Sequence, residues 1–230
     1  MKNSIYLFLL IFSPLYAQQS GKSVLEKVKA QYSSSKSIQY NAIYNLYKNH
    51  EAKTIYQSYK GEYLKNPNNE VYLKINTTEY YLSSKTNTQI NHDEKLILVT
   101  NPGKIKKEEF NITELLKWFN MGSFKDKKTH WEVELLGKKG SSLPYGKIIL
   151  IIGKDFYIQK QVFYYSTAID FSNDYSKPDI KAPRLEIIYS KHSNDAIPAE
   201  KFNFSKYFTL TGNIVKLSSK YNNYQVVDQR

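Results

Sequence analysis

The sequence predicts an α+β fold built on one large, curved antiparallel β-sheet. Apolar and polar residues alternate along most of the chain, with the period of two that half-buried strands show. The connections between these stretches are too short for the crossovers that parallel strands require. Only two stretches have helical spacing. A sheet of about ten or eleven strands curls, so we expect both short helices on its concave face and water on the other face.

The first seventeen residues are typical of a secretory signal. Lys2 precedes the apolar run Ile5–Phe12, and Leu15-Tyr16-Ala17 indicates cleavage before Gln18. The alternative is a retained anchor, but a run this short cannot cross a bilayer core, which needs about 20 apolar residues. We therefore predict a signal peptide at residues 1–17 and a single domain at 18–230. The chain has no cysteine, so no disulfide supports that domain after export.

The first predicted helix begins at Ser23, which forms a capping box with Glu26. Val24, Leu25, Val28 and Tyr32 follow at helical spacing, and a serine run ends the helix. The predicted strands are 38–46, 55–63, 71–75, 79–83, 88–91, 96–100, 131–135, 147–152, 158–165, 184–190, 210–217 and 224–227. The polar loop Phe171–Pro183 is the best candidate for a mobile segment.

A second, short helix is predicted at Asn111–Phe119, near the middle of the chain. Asn111 is a good N-cap, and Leu115, Leu116 and Phe119 give the helix an apolar side together with Trp118. A short apolar helix is not stable alone in water. It must therefore pack on the sheet, and how closely it does so bears directly on function.

Residue types that carry out catalysis are nearly absent. No serine lies in a Gly-x-Ser-x-Gly turn, and no cysteine nucleophile exists. Asn91-His92-Asp93-Glu94 has two interpretations, a weak metal site or a hairpin turn, and the turn is favoured because the spacing does not match metal ligands. We predict a protein that is not an enzyme and has no cofactor and no metal. An esterase acting on lipid is a distant alternative.

The chain is basic, with a formal net charge of +12. Its lysines are scattered along strands and loops, and only Arg184 and Arg230 are arginines. Scattered lysine is typical of solvated faces and protected strand edges. This pattern and the export signal exclude nucleic acid as a partner. A positive surface also favours transient contact with anionic membranes.

Aromatic residues are the remaining functional signal, because the chain has 21 tyrosines. Tyr40, Tyr44, Tyr59 and Tyr63 are expected on one face of two adjacent strands. They are either simple core residues or the lining of an apolar cavity, with their hydroxyls at a wet rim. In the second interpretation Leu115, Leu116 and Phe119 complete the ligand-binding site.

The C-terminal third resembles the closing pattern of the outer-membrane lipoprotein carrier family, LolA. The pattern is the strand Arg184–Tyr189, then Asn194, then Ile197–Phe204 with its Phe-x-Phe pair, Phe202 and Phe204. In the N-terminal half, Gly61–Asn68 is similar to the family's glycine, apolar strand and Lys-Arg-Pro-Asn turn. Asn66 stands where the family has a functionally important arginine, and Ser84–Asn87 stands near the place of its Asp-Gly and Trp-x-Tyr strand motif, which is absent.

The resemblance implies an open half-barrel whose helices form a lid, acting in the periplasm. It implies a carrier of lipid or lipoprotein acyl chains whose partners are inner- and outer-membrane lipoprotein-transfer proteins. The alternative is a non-enzymatic envelope sensor or interaction scaffold with the same fold and no lipid cargo, since one fold serves several functions.

Overall fold

The structure is a computed structural model that describes residues 21–34, 36–103, 112–141, 143–212 and 214–230. The helices are α1 (residues 21–34) and α2 (Ile112–Trp118), with short 3₁₀ turns at Ala199–Phe202 and Ser219–Tyr221. The strands are β1 (Ile38–Tyr47), β2 (Gln57–Lys65), β3 (Val71–Ile75), β4 (Thr78–Leu82), β5 (Asn87–Asn91), β6 (Leu96–Thr100), β7 (Phe119–Asp126), β8 (His130–Gly137), β9 (Tyr145–Gly153), β10 (Ile158–Tyr165), β11 (Ile169–Asp170), β12 (Ile180–Lys181), β13 (Arg184–Ser193), β14 (Phe208–Thr211), β15 (Ile214–Leu217) and β16 (Gln225–Gln229).

Twelve of these strands form one sheet, in the order β16-β6-β5-β4-β3-β2-β1-β13-β10-β9-β8-β7. The sheet is not closed, because β16 and β7 stand at its two ends. The ladders β2–β3, β3–β4, β4–β5 and β5–β6 are antiparallel, as are β7–β8, β8–β9, β9–β10 and β10–β13. The predicted fold class, a large open antiparallel sheet with few helices, is confirmed.

The chain divides into two compact units. Among the described residues, unit 1 comprises 21–34, 43–58, 112–141 and 143–189, and unit 2 comprises 36–42, 59–103, 190–212 and 214–230. Among the residues that the structure describes, no helix has both the length and the apolar character that a membrane span requires.

In unit 1, α1 is firmly packed. Its predicted apolar residues Val24, Leu25, Val28 and Tyr32 are all buried. The Tyr32 hydroxyl accepts a hydrogen bond from the backbone N–H of Ile158 at 3.3 Å. Full burial of a leucine or valine side chain contributes about 1.5–3 kcal/mol. Helix α1 is therefore an integral part of the core of its unit.

In unit 2, one face of the sheet is sealed. Strands β2–β6 place Leu64, Tyr72, Tyr81, Ile90, Ile97 and Val99 on it, all buried. The chain from Ile197 to Tyr224, called here the C-terminal segment, packs over this face through buried Tyr207 and Phe208. In unit 2 the face that carries these residues is therefore covered by a segment that contains no α-helix.

Several local predictions need correction. Ser23 lies inside α1, which already includes Gly21, so it is not the cap of the helix. The predicted strand 210–217 is instead the hairpin of β14 and β15. Helix α2 ends at Trp118, and Phe119 begins β7 because its backbone pairs with Gly137 of β8. Strand β16 runs parallel to β6, against the expectation of antiparallel pairing throughout. The loop Phe171–Pro183 contains β12, which pairs with β11 as a short hairpin. The predicted signal peptide and the Asn111 cap lie outside the described residues, and the single-domain assignment stays a prediction.

Candidate ligand-binding site

Three of the predicted tyrosines lie in unit 2, on the face of its sheet opposite the sealed one. The rings of Tyr40 and Tyr63 stack in parallel, with centroids 4.8 Å apart. Tyr59 is 39% exposed. Tyr63 is beside Leu73 in the register, and Leu73 is beside Tyr80. All three of these side chains are only half-buried. This face, called here the open face, is therefore apolar and partly accessible.

The other predicted site residues lie in unit 1. Tyr44 is half-buried, and burial raises the pKa of its hydroxyl. Leu115 and Leu116 of α2 are also half-buried. Phe119 is only 1% exposed, and its ring stacks on the ring of Tyr145 with centroids 6.5 Å apart. Phe119 therefore belongs to the core of the unit.

Helix α2 packs much less tightly than α1. From Glu114 to Trp118, no side chain reaches the buried class, and Trp118 is 41% exposed. Lys138 attaches the end of the helix, because its N–H donates to the Trp118 carbonyl at 2.9 Å and its Nζ to the Leu116 carbonyl at 2.7 Å. From 114 to 118, α2 is therefore held by fewer buried side chains than α1.

Unit 2 also contains a pocket that no sequence pattern indicated. It has a volume of about 460 Å³ and lies where β3 and β4 meet the C-terminal segment. Its lining residues are Glu70, Val71, Tyr81, Leu82, Ser83, Ser84, Lys85, Thr86, Phe202, Asn203, Phe204, Ser205, Phe208, Thr209 and Leu210. Pockets of about 300–1,000 Å³ are typical of small-molecule sites. The sequence singled out the Phe-x-Phe pair and Ser84–Asn87 only in the family comparison, and nothing in it indicated that they line one pocket.

The pocket is apolar inside and polar at its rim. Phe204 stacks on the buried ring of Phe208 with centroids 4.9 Å apart, and Tyr81 meets Phe204 edge-on at 6.4 Å. The exposed lining residues are instead polar, namely Ser84, Lys85, Asn203, Ser205 and Thr209. Such an arrangement suits a molecule with an apolar body and a polar end.

The turn at the rim is fixed by hydrogen bonds. Ser83 Oγ accepts from the N–H groups of Lys85 and Thr86, both at 3.1 Å, and donates to the Thr86 carbonyl at 3.0 Å. A serine that bonds the backbone two or three residues further on stabilises a tight turn. This turn holds Lys85 at the mouth of the pocket.

A buried carboxylate lies next to the pocket. Glu79 is 5% exposed and accepts hydrogen bonds from the hydroxyls of Tyr81 and Tyr207, both at 2.8 Å. His92 Nε2 is 3.3 Å from Glu79 Oε1, and its Nδ1 is 2.9 Å from the Tyr224 hydroxyl. Burial and the bond to Glu79 raise the pKa of Tyr207. The cluster thus connects the sheet to the C-terminal segment through polar groups.

Asn66 has a structural role in its turn. Its Oδ1 accepts from the N–H groups of Asn68 and Glu70, both at 3.0 Å, and its Nδ2 donates to Glu70 Oε2 at 2.7 Å. Residues 66–69 form a turn, and the Asn66 side chain is engaged in closing it.

The Asn91–Glu94 stretch is a hairpin turn, as favoured from the sequence. Asn91 Oδ1 accepts from the N–H groups of Asp93 and Glu94 at 3.1 Å, and Thr77 donates its hydroxyl to Asp93 at 2.6 Å. Among the described residues, no three His, Asp or Glu side chains are grouped so as to hold a metal ion.

No protein-family model matches the chain, and a search of curated proteins finds no match. Solved structures do match. An uncharacterised conserved protein from Thermus thermophilus is 9% identical, with 91% of this chain and 99% of that chain covered and a TM-score of 0.50. At this identity, the match shows a shared fold alone.

Two further solved structures match at lower TM-scores. A LolA superfamily protein from Nitrosomonas europaea is 13% identical, with 78% of this chain and 97% of that chain covered and a TM-score of 0.35. The lipoprotein LppX from Mycobacterium tuberculosis is 9% identical, with 77% and 98% covered and a TM-score of 0.40. The chain itself has a twelve-stranded open sheet with few helices, which is the fold class that its sequence predicted.

Proposed function

We propose that this chain is a periplasmic carrier or binder of lipid or lipoprotein acyl chains. The observation that supports the proposal most directly is the open face of unit 2. Tyr63, Leu73 and Tyr80 lie side by side there and stay half-accessible, while the opposite face of the same strands is sealed. A contiguous, partly accessible apolar surface of this kind is typical of a binding site for an apolar partner.

The energetics favour a hydrocarbon ligand. Each methylene removed from water contributes about 0.8 kcal/mol, so ten of them give roughly 8 kcal/mol before ordering costs. A typical hydrogen bond contributes about 1 kcal/mol net. A protein that binds in this way holds acyl tails firmly and discriminates weakly among head groups, which is what a carrier of varied lipids needs.

In unit 1 we assign contact with an acyl chain to α2, because its side chains from 114 to 118 are accessible, whereas the apolar side chains of α1 are buried. Leu115 and Leu116 of α2 are the proposed contacts with the ligand in unit 1, together with Tyr44. In unit 2 the proposed contacts are Tyr40, Tyr59 and Tyr63.

Replacing Leu116 by aspartate is expected to abolish uptake of a fluorescent long-chain fatty acid. Leu116 is half-buried, so the fold tolerates the change, whereas a carboxylate at a ligand contact opposes hydrocarbon. The measurement is the fluorescence of the bound probe, with circular dichroism as a check on folding. The control is Asn120→Asp, which adds the same charge at an exposed position of β7. Unchanged uptake by a folded Leu116→Asp variant contradicts the assignment.

Extraction of the natively purified protein with organic solvent distinguishes a carrier from the alternative, a sensor or interaction scaffold without lipid cargo. A carrier yields bound lipid that mass spectrometry identifies. A sensor or scaffold yields none, and such a result would favour the interaction role.

A further inference from the structure

We propose that the pocket under the C-terminal segment is a second binding site, for a single-chain amphiphile with an anionic oxygen head. This pocket shares no lining residue with the predicted set that includes Tyr40, Tyr59 and Tyr63. Its back wall contains Tyr81, which lies on the sealed face of the sheet. The inference therefore goes beyond acyl-chain binding at the open face.

The size of the pocket limits the ligand. A volume of about 460 Å³ lies in the lower half of the roughly 300–1,000 Å³ range of small-molecule sites. Dodecanoate is of this size, and a diacyl lipid is much larger. The walls that would contact the chain are Phe202, Phe204, Phe208, Val71 and Leu210. A single hydrocarbon chain fits both the volume and the lining.

The polar residues at the rim of the pocket determine which kind of ligand head group would bind there. Lys85 is exposed at the mouth and has no carboxylate within 4.0 Å among the described residues. The one acidic lining residue, Glu70, already accepts a hydrogen bond from Asn66. Ser84, Ser205 and Thr209 add hydroxyl donors. A head with acceptor oxygens and a negative charge, such as a carboxylate or a phosphate, complements this rim.

The pocket is preformed rather than assembled by the ligand. Ser83 fixes the turn that carries Lys85, and the bonds of Glu79 to Tyr81 and Tyr207 tie the wall to the segment that covers it. A preformed site avoids the ordering cost that weakens binding to flexible surfaces. Binding here therefore requires no rearrangement of the pocket walls.

The test is a titration of the isotope-labelled full chain with dodecanoate, followed by NMR. Amide signals of residues 82–86 and 202–210 are expected to shift. Thr209→Trp, which fills the mouth, is expected to weaken binding at least tenfold. Thr211→Trp is the matched control, because Thr211 lies two residues along the same strand, is also exposed and does not line the pocket. It is expected to change binding less than twofold.

The head group is tested with Lys85→Gln. This variant is expected to bind dodecanoate two- to fivefold more weakly and dodecanol as before, because an exposed charge contributes modestly. Dodecyl phosphate in a parallel titration distinguishes a phosphate head from a carboxylate. An equal loss for dodecanoate and dodecanol contradicts the anionic head.

The wild-type titration alone can overturn the second site, whether or not the tryptophan variants fold. If dodecanoate shifts only the amides of the open face, such as Tyr63, Leu73 and Tyr80, the pocket is not a site and acyl binding at the open face still stands. Absence of any shift also overturns the pocket. The proposed function is judged separately, by the response of long-chain uptake to Leu116→Asp.

Discussion

Replacing Phe208 by alanine is expected to lower the free energy of unfolding by about 3–5 kcal/mol. Phe208 is fully buried in the core of unit 2, and its ring stacks on that of Phe204 with centroids 4.9 Å apart. The truncation removes apolar area from the core and leaves a void that the antiparallel strands cannot collapse to fill. Urea denaturation followed by circular dichroism measures the change.

Thr209→Ala is the control for Phe208→Ala. Thr209 is the next residue in β14 and is exposed, so its truncation is expected to change stability by less than about 0.5 kcal/mol. If Phe208→Ala costs less than about 1 kcal/mol, the C-terminal segment is not packed on the sheet as the structure has it. In that case the pocket that Phe208 lines has no fixed wall.

Much of the sheet could be predicted from local pattern. Glu79 and Tyr81 alternate with Thr78, Tyr80 and Leu82, and the strand β4 is buried at every second residue. Helix α1 was predicted because Leu25 and Val28 recur at helical spacing. In both cases the period of the side chains records which face is buried, and a short window of sequence contains that information.

The end of α2 could not be predicted in this way. Phe119 continues the helical spacing of Leu115 and Leu116, yet it starts a strand because its backbone pairs with Gly137 of β8. Pairing with a distant strand overrides local preference. The parallel pairing of β16 with β6 is of the same kind, since nothing in residues 225–229 specifies a neighbour more than a hundred residues earlier in the chain.

The pocket could not be predicted from the sequence for a related reason. Its walls come from β3, β4 and the turn after β4 on one side and from residues 202–210 on the other. The sequence shows Phe202 and Phe204 as a spaced pair, but it does not show the face on which they pack. Glu79 likewise reads as the polar residue of an alternating strand, and its partners His92 and Tyr207 are brought to it by the fold.

Replacing Glu79 by glutamine is expected to lower the free energy of unfolding by about 2–4 kcal/mol at neutral pH. Glu79 accepts hydrogen bonds from Tyr81 and Tyr207, and Lys74 and Lys206 lie within 4 Å of its oxygens. Glutamine keeps one acceptor oxygen but directs an NH₂ group at a site built of donors. Glu94→Gln, a change of the same kind at an exposed position, is the control and is expected to have little effect.

The loss caused by Glu79→Gln should depend on pH. Burial alone would raise the pKa of Glu79, but the hydrogen bonds from Tyr207 and Tyr81 and the charge of Lys206 outweigh it, so the pKa lies below its ordinary value of 4.5. The unfolded chain then binds more protons between the two values. The stabilising effect of the Glu79 carboxylate is complete above its ordinary pKa. The effect is lost as the pH falls through the lower pKa that Glu79 has in the folded protein. Urea denaturation of the wild type and of Glu79→Gln should show a difference in free energy of unfolding that is constant at neutral pH. This difference should narrow in acid, below about pH 4.5. If the difference in free energy of unfolding stays constant down to about pH 3, these donors do not hold Glu79 as a carboxylate.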